Sequence, residues 1–431
     1  MRHLAAITFG LLAGTPLAAQ TLAATDSSSL RAFQLGMMAT TVVTRAAPAY
    51  DGRTFTELQL VQPNLSIAMT KRGFSFWGVL NAEGYTLKRG ELNAGIAGEG
   101  YVDRRHPHTL VHEAMLVWQP FRVSTSPQTT FAVSAAAGKG FVPFGSDDPM
   151  MRPLEKYPVN HHHAQIIERI QTVITGRISR GARFVAIEGA SFNGDEPAGP
   201  FHGPRWERFG DSWTFRATAQ PLRGVELSAS RANVRSPELQ QGGAFDHHQH
   251  HASLRIDRPA STNGAMRYVL AEWARTDEIT NGKTAFRYGS ALIEGAYGWR
   301  GVQTAVRVEQ TDRGEQMRLL DPFRAPLGHV DFQNLGVTRW QVTTVALSAP
   351  NMKWRSVFDK VRVAPFVELA RAAPTPRRRP TVFEPADFYG ASTLWSLSLG
   401  FRLHAGSMRL RMGRYGVMSD QPMNEKMHHA M

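Results

Sequence analysis

Apolar and polar positions alternate with period two along most of the chain. In RFVAIEGASF, Phe184, Ala186, Glu188, Ala190 and Phe192 share one face, and Arg183, Val185, Ile187, Gly189 and Ser191 the other. SWTFRATAQ sets Trp213, Phe215, Ala217 and Ala219 against Thr214, Arg216, Thr218 and Gln220. MRYVLAEWARTDE groups Val269, Ala271 and Trp273 with Arg267 and Arg275, opposite Tyr268, Leu270 and Glu272. GVQTAVRVEQTD and LWSLSLGFRLHAG repeat the pattern. SMRLRMGRYGVM (407–418) sets Met408, Leu410 and Met412 against Arg409, Arg411 and Gly413, and is expected to be the last strand. Period two is the side-chain period of a β-strand.

Short connectors such as QPLRG (220–224) and TNGA (262–265) alternate with long ones at 141–165, 193–212, 232–251, 311–336 and 371–390. The long ones are rich in Pro, Gly, Asp and His, as solvent-facing loops are. Strands of roughly 9–11 residues with a short/long loop rhythm predict a transmembrane antiparallel β-barrel of about 14 strands, with 12–16 compatible and an even number expected. Only a closed sheet leaves no strand edge unpaired in lipid, so such weakly apolar strands can still span a membrane. A soluble β-sandwich or propeller would share the alternation. No repeat of roughly 20–50 residues is visible, which counts against a propeller.

One stretch carries helical spacing. Asn160 is a good N-cap, and Ile166, Ile167, Ile170, Val173 and Ile174 follow at helical intervals up to Gly176. The same residues, 165–178, also read as another strand.

The first residues, MRHLAAITFGLLAGTPLAAQ, have the basic, apolar and small-residue regions of a secretory signal peptide. The expected organisation is a signal peptide at 1–19 with cleavage between 19 and 24, a barrel over 25–418, and a Met/His-rich polar tail at 419–431. Beyond residue 20 no apolar run approaches the ~18 residues of a spanning helix. The chain has no cysteine, which excludes disulfides and an acylated lipoprotein.

The formal net charge is +13. A charge on the lipid face near the midplane costs roughly 2–4 kcal/mol, so the strand arginines are expected in the lumen. Arg183, Arg216, Arg255, Arg267, Arg275, Arg307, Arg409 and Arg411 are the candidate anion-binding groups. Acids such as Glu188, Glu272, Glu294, Glu309 and Glu368 offer cross-strand partners that could neutralise them. The run PTPRRRP (374–380) reads as a solvated loop able to meet lipopolysaccharide phosphates.

GKGFVPFGSDDPMMRPLEKYPVNHHHAQIIER (138–169) interrupts this pattern with fixed-φ prolines and both signs of charge. It is expected to enter the lumen as a pore-constricting loop. Lys139, Asp147, Asp148, Arg152, Lys156, His161, His162 and His163 are the candidate constriction groups. GKGFVPFGSDD resembles the strand-to-loop segment of the phosphate-selective porin-like outer-membrane proteins, within the Gram-negative porin class. That resemblance implies a signal peptide, an antiparallel barrel of about 16 strands and a basic, anion-favouring channel. Only Val142, Pro143, Phe144 and Gly145 match, and their role in the family is structural. The family's lysine ladder is replaced here mostly by arginines.

Histidines cluster at His247, His248, His250 and His251, which could chelate a metal if DHHQHH were a flexible loop. Catalytic motifs are missing: HPHTLVHE is not HExxH, and no GxSxG or P-loop is present. The expected function is a passive outer-membrane porin, without cofactor or enzymatic activity, passing small anions. Its expected partners are membrane lipid and lipopolysaccharide, not nucleic acid, and it would be a monomer or homotrimer. The alternatives are a barrel linked to copper or zinc, or a non-conducting structural barrel.

Overall fold

The computed structural model describes residues 32–71, 73–87, 108–126, 128–146, 151–159, 161–258, 266–316, 334–349, 352–353, 361–378, 381–406 and 411–419. The expected signal peptide (1–19) and residues 420–431 of the expected tail therefore lie outside the described residues. The strands begin with β1 (Ala32–Tyr50), β2 (Arg53–Lys71), β3 (Phe74–Asn81), β4 (Val111–Ser126) and β5 (Thr129–Gly140). They continue with β6 (Arg169–Arg180), β7 (Arg183–Phe192), β8 (Ser212–Leu222), β9 (Val225–Val234), β10 (Asp246–Arg258) and β11 (Met266–Thr280). The last are β12 (Lys283–Trp299), β13 (Val302–Gln316), β14 (Asn334–Ser348), β15 (Met352–Lys353), β16 (Val361–Pro376) and β17 (Leu394–Gly406).

Successive strands pair antiparallel, and β17 returns to β1 with Gly36 opposite Gly406 and Ala47 opposite Trp395. β15 has only two residues, and β14 pairs directly with β16 beside it. The wall is therefore a closed barrel of sixteen strands, two more than the sequence pattern suggests. β1 is hard to see because its inward face mixes Met38, Thr40, Val42 and Thr44 with apolar groups, so the polar/apolar alternation is weak.

Burial alternates along each strand. Val185, Ile187, Phe215 and Ile293 point outward and are 57–64% exposed, while Glu188, Arg216 and Glu294 point inward and are buried. A soluble protein does not expose such a belt. Turned apolar side out and polar side in, the wall suits a lipid surround.

Tight turns at 181–182, 223–224 and 300–301 share one rim with the start of β1 and the end of β17. The long connections 141–168, 193–211, 235–245 and 377–393 lie at the other rim. Short turns mark the periplasmic rim of such barrels, and long loops the extracellular one.

Apart from short 3₁₀ turns, the described helices are single turns: α1 (Glu83–Thr86), α2 (His161–Ala164) and α3 (Pro385–Tyr389). The helical spacing over 166–174 ends in β6: Ile170, Val173 and Ile174 lie in the strand, and Ile166 and Ile167 in the loop before it. Ile170, Thr172, Val173, Ile174, Thr175 and Ile178 are β-branched and stiff at χ1, which suits a pleated sheet. The segment also finds pairing partners on both sides, in β5 and β7. Tertiary pairing decides what periodicity leaves open.

Candidate functional site

The lumen is occupied from both rims. From the extracellular side, the loop 141–168 leaves β5 through the VPFG stretch. Val142 and Phe144 pack with Ile166, Phe192, Ala232 and Val234. The Gly145 N–H donates to Ser230 Oγ at 2.9 Å, and Thr214 Oγ1 donates to the Pro143 carbonyl at 3.3 Å. Gly145 has φ +73°, and a Cβ there would lie 1.5 Å from the Ala164 carbonyl oxygen. Only glycine fits where the loop's two stems meet.

Between the stems the loop crosses the lumen. Arg152 reaches Glu272 of β11 at 3.1 Å, and Leu154 is buried among Tyr268, Leu270 and Leu292. The backbone N–H groups of Glu155 and Lys156 donate to Glu368 of β16 at 2.7 and 3.2 Å. The Glu155 carboxylate meets Arg402 of β17 at 2.5 Å. Lys156 Nζ donates to Ser396 Oγ at 2.7 Å, and Arg307 donates to the Lys156 carbonyl at 2.8 Å. Gln62 of β2 donates to the Tyr157 hydroxyl. The Val159 N–H donates to Glu309 of β13 at 2.8 Å. Inward carboxylates on distant strands thus hold the loop by its backbone, which fixes it independently of flexible side chains.

From the periplasmic side, the segment after β17 turns back into the barrel. This corrects the expectation that 407–418 forms a strand: residues 411–418 contain turns and a 3₁₀ helix, Gly416–Met418. Gly413 and Gly416 have φ of +71° and +56°, which interrupts extended backbone. Arg411 forks onto Glu226 at 2.7 and 2.8 Å. Arg414 reaches Glu226 at 3.0 Å and Thr218 at 3.1 Å. Arg216 donates to the Gly413 carbonyl at 2.9 Å. The Phe141 N–H donates to the Tyr415 hydroxyl at 3.0 Å, so this segment touches the start of the loop 141–168. Met412, expected outward, packs inside with Met38, Val79, Phe141 and Tyr157.

Glu226 is the principal anchor of this segment. Glu226→Gln removes the charge from three charge-assisted hydrogen bonds, each worth about 1.5–3 kcal/mol. Trypsin should then cut after Arg411 or Arg414 in the folded barrel roughly tenfold faster or more. Gel analysis of timed digests checks this.

The sequence-chosen arginines divide between the two faces. Arg216 pairs with Glu188 at 2.6 Å, Arg255 with Asp257 at 2.8 Å, Arg307 with Glu294 at 3.2 Å, and Arg411 with Glu226, all inside. Arg183, Arg267 and Arg275 instead stand on the outward face, with Val185, Val269 and Trp273 respectively. Arg183 and Arg267 are at strand ends next to a turn or connection, away from the midplane where charge is most expensive. Arg275 is bound to Asp277.

Among the constriction groups, Arg152 and Lys156 lie inside the barrel as described. Lys139, at the end of β5, donates to the Thr109 hydroxyl and, at 2.7 Å, to the Val111 carbonyl. His163 Nδ1 is 2.9 Å from Thr276 Oγ1, and its ring stacks on Tyr288. Asp147, Asp148, Arg409 and the side chains of His161 and His162 lie outside the described residues.

DHHQHH is not a loop: it opens β10. His247 and His251 therefore face inward, and His248 and His250 outward, so the four do not converge. Among the described residues no group of three or more His, Asp or Glu is placed to hold a metal ion.

Two buried histidine–carboxylate pairs escape sequence reading. His108 Nδ1 lies 2.7 Å from Glu83, and His112 Nδ1 lies 2.7 Å from Glu168. Burial alone would raise the Glu83 and Glu168 carboxyls, but these histidines outweigh it and hold both below the usual carboxylate range. Nothing in sequence spacing joins Glu83 to His108 across the β3–β4 connection, or His112 of β4 to Glu168 at the end of the loop before β6.

At the loop's centre, burial pushes the Glu155 carboxyl up to about 7, with the Glu368 carboxylate adding to the rise and Arg402 opposing it. Burial likewise brings the Lys156 ammonium down to about 8, Glu368 opposing and Arg307 adding.

No family model matches the chain, and no curated protein does. Among solved structures, an anion-selective porin from Comamonas acidovorans is similar at 10% identity, with a TM-score of 0.47 over 88% of this chain and 100% of that one. OmpT, an outer membrane protein of Vibrio cholerae, is similar at 7% identity, TM-score 0.44, over 87% and 97%. OccK2 (OpdF) of Pseudomonas aeruginosa is similar at 9% identity, TM-score 0.37, over 87% and 98%. The closed antiparallel wall, its even strand number and its outward apolar belt make the chain a transmembrane β-barrel of the outer-membrane type.

Proposed function

We propose that the chain is a passive outer-membrane channel for small solutes, with a preference for anions. The observation that carries this reading is the loop 141–168, which spans a polar lumen and sets Glu155 and Lys156 at its centre. A passive pore needs its narrowest point held rigidly, and here backbone bonds to Glu309 and Glu368 and buried Leu154, Tyr157 and Val159 supply that rigidity. The anion preference rests on this pair more than on a free basic ladder, because Arg216, Arg255, Arg307, Arg402 and Arg411 all face carboxylates.

Selectivity should then follow pH. Below about 7 Glu155 is neutral while Lys156 is charged, so the pair carries one positive charge. Above about 8 Glu155 is charged and Lys156 neutral, so it carries one negative charge. Anion preference is expected to be strongest at the acid end and to fall as pH rises between these values. Reversal potentials in a planar bilayer under a KCl gradient test this, and a pH-independent value would remove the pair from selectivity.

A second reading, a non-conducting barrel, is favoured by how fully the loop and the C-terminal segment occupy the lumen. The same recording separates the two: a folded, membrane-inserted protein that passes no current supports the second.

A further inference from the structure

The outer wall carries charge that the lumen does not use. Near the extracellular rim, one outward row runs across β9 to β14. Arg231 stands opposite His250, His250 opposite Arg275, and Arg275 opposite Gly289. The Gly289 N–H points to Asp312 at 3.4 Å, and Asp312 stands opposite Arg339. The next row toward the rim holds Asp277 opposite Arg287. One step toward the other rim, about 7 Å along the strands, the outward residues are Ala229, Ala252, Trp273 and Ala291. The charged rows therefore begin where the apolar belt ends.

Acid does not balance base in these rows. Asp277 is shared by Arg275 at 2.5 Å and Arg287 at 2.6 Å. Asp312 is shared by Arg339 at 2.8 Å and Arg377, the first arginine of the triple run, at 3.3 Å. Arg231 lies over the Trp213 ring, 5.9 Å from its centroid, and has no carboxylate partner among the described residues. Five guanidiniums thus face two carboxylates. Each guanidinium has five donors in a planar fork, so sharing one carboxylate between two arginines leaves donors free. Arg287 is 51% exposed and Arg339 37%.

We propose that this outward patch binds the phosphate groups of a phosphorylated glycolipid in the outer leaflet. Its depth argues for lipid: the patch lies flush with the apolar belt, where headgroups begin, on a wall that a soluble partner would reach only through the membrane surface. Its chemistry argues for phosphate, because guanidinium forks match phosphate oxygens two at a time. Trp213 and Trp273 beside it suit the membrane–water boundary. The proposal rests on the barrel's placement in the membrane and not on whether the lumen conducts.

The test is native mass spectrometry of the refolded barrel in detergent, titrated with diphosphorylated lipid A and with its dephosphorylated form. The wild type is expected to bind the phosphorylated lipid at least tenfold more tightly. In an Arg231→Gln/Arg287→Gln variant the two lipids should bind alike, with binding of the dephosphorylated form unchanged. Should that variant fail to fold, Arg231→Gln alone carries the same expectation at a several-fold level, since it breaks no ion pair. Equal binding of both lipids by the wild type, or a preference untouched by the substitutions, would overturn the proposal. Binding of inorganic phosphate with no preference between the lipids would overturn it as well. A barrel that fails to conduct leaves this outcome unaffected.

Discussion

Deleting residues 146–163 should raise single-channel conductance several-fold and weaken anion selectivity. The deletion joins positions already in contact, because a Cβ on Gly145 would lie 1.5 Å from the Ala164 carbonyl oxygen. The VPFG anchor stays seated on Phe192, Ala232 and Val234, and the strand ladder that closes the wall is untouched. What leaves is the whole crossing: Arg152, Leu154, Glu155, Lys156, Tyr157 and Val159. Sixteen-stranded walls are wide enough to hold an aqueous channel, so the lumen should open toward that width. Glu272, Glu309 and Glu368 would then face water without their Arg152, Val159, Glu155 and Lys156 partners, which shifts the reversal potential toward cations. Stability should fall too, since burying a large apolar side chain is worth about 1.5–3 kcal/mol and Leu154, Tyr157 and Val159 all leave buried clusters. Unchanged conductance would take the loop out of the conduction path.

Removing residues 407–431 should open the periplasmic half, with a conductance gain of roughly twofold or more. Residues 411–419 contribute no strand to the wall, so closure between β17 and β1 persists. Glu226 loses Arg411 and Arg414 but becomes hydrated, so no buried charge is stranded. Glu188 keeps Arg216 at 2.6 Å. The lumen loses two arginines, and selectivity again shifts toward cations. Gly416→Ala should reproduce part of the effect, because a Cβ there would lie 2.0 Å from Ser134 Oγ and the backbone is left-handed. Bilayer recordings of the truncated and substituted proteins check both expectations.

The wall is legible in the sequence because lipid outside and water inside impose opposite polarity on successive residues. RFVAIEGASF and GVQTAVRVEQTD read correctly for that reason. β1 is obscured because its inward residues are small or weakly polar. SMRLRMGRYGVM shows the opposite failure: over 411–418 its alternation leads to no strand, since left-handed Gly413 and Gly416 and inward carboxylates draw that part inside. DHHQHH reads as a loop on composition, yet it lies between β9 and β11, whose pairing fixes it as strand and splits its histidines. Arg267 and Arg275 share a face with Val269 and Trp273 in the sequence itself, which conflicts with the lumen position expected of them from the cost of charge in lipid, and the structure sets both outward. The loop 141–168 that enters the lumen was visible as a dense run of prolines and charges, but its anchors were not. Glu226, Glu368 and Tyr415 are remote in sequence from what they hold, and only closure of the barrel brings them there.

The most direct measurement is the single-channel conductance of the refolded wild type beside a protein lacking both 146–163 and 407–431, each in a planar bilayer under the same KCl gradient. A small, steady, anion-preferring conductance in the wild type, and a much larger, less selective one in the double deletion, is expected from a lumen narrowed from both rims. Equal conductances, or a double deletion that inserts folded and still passes no current, would contradict it.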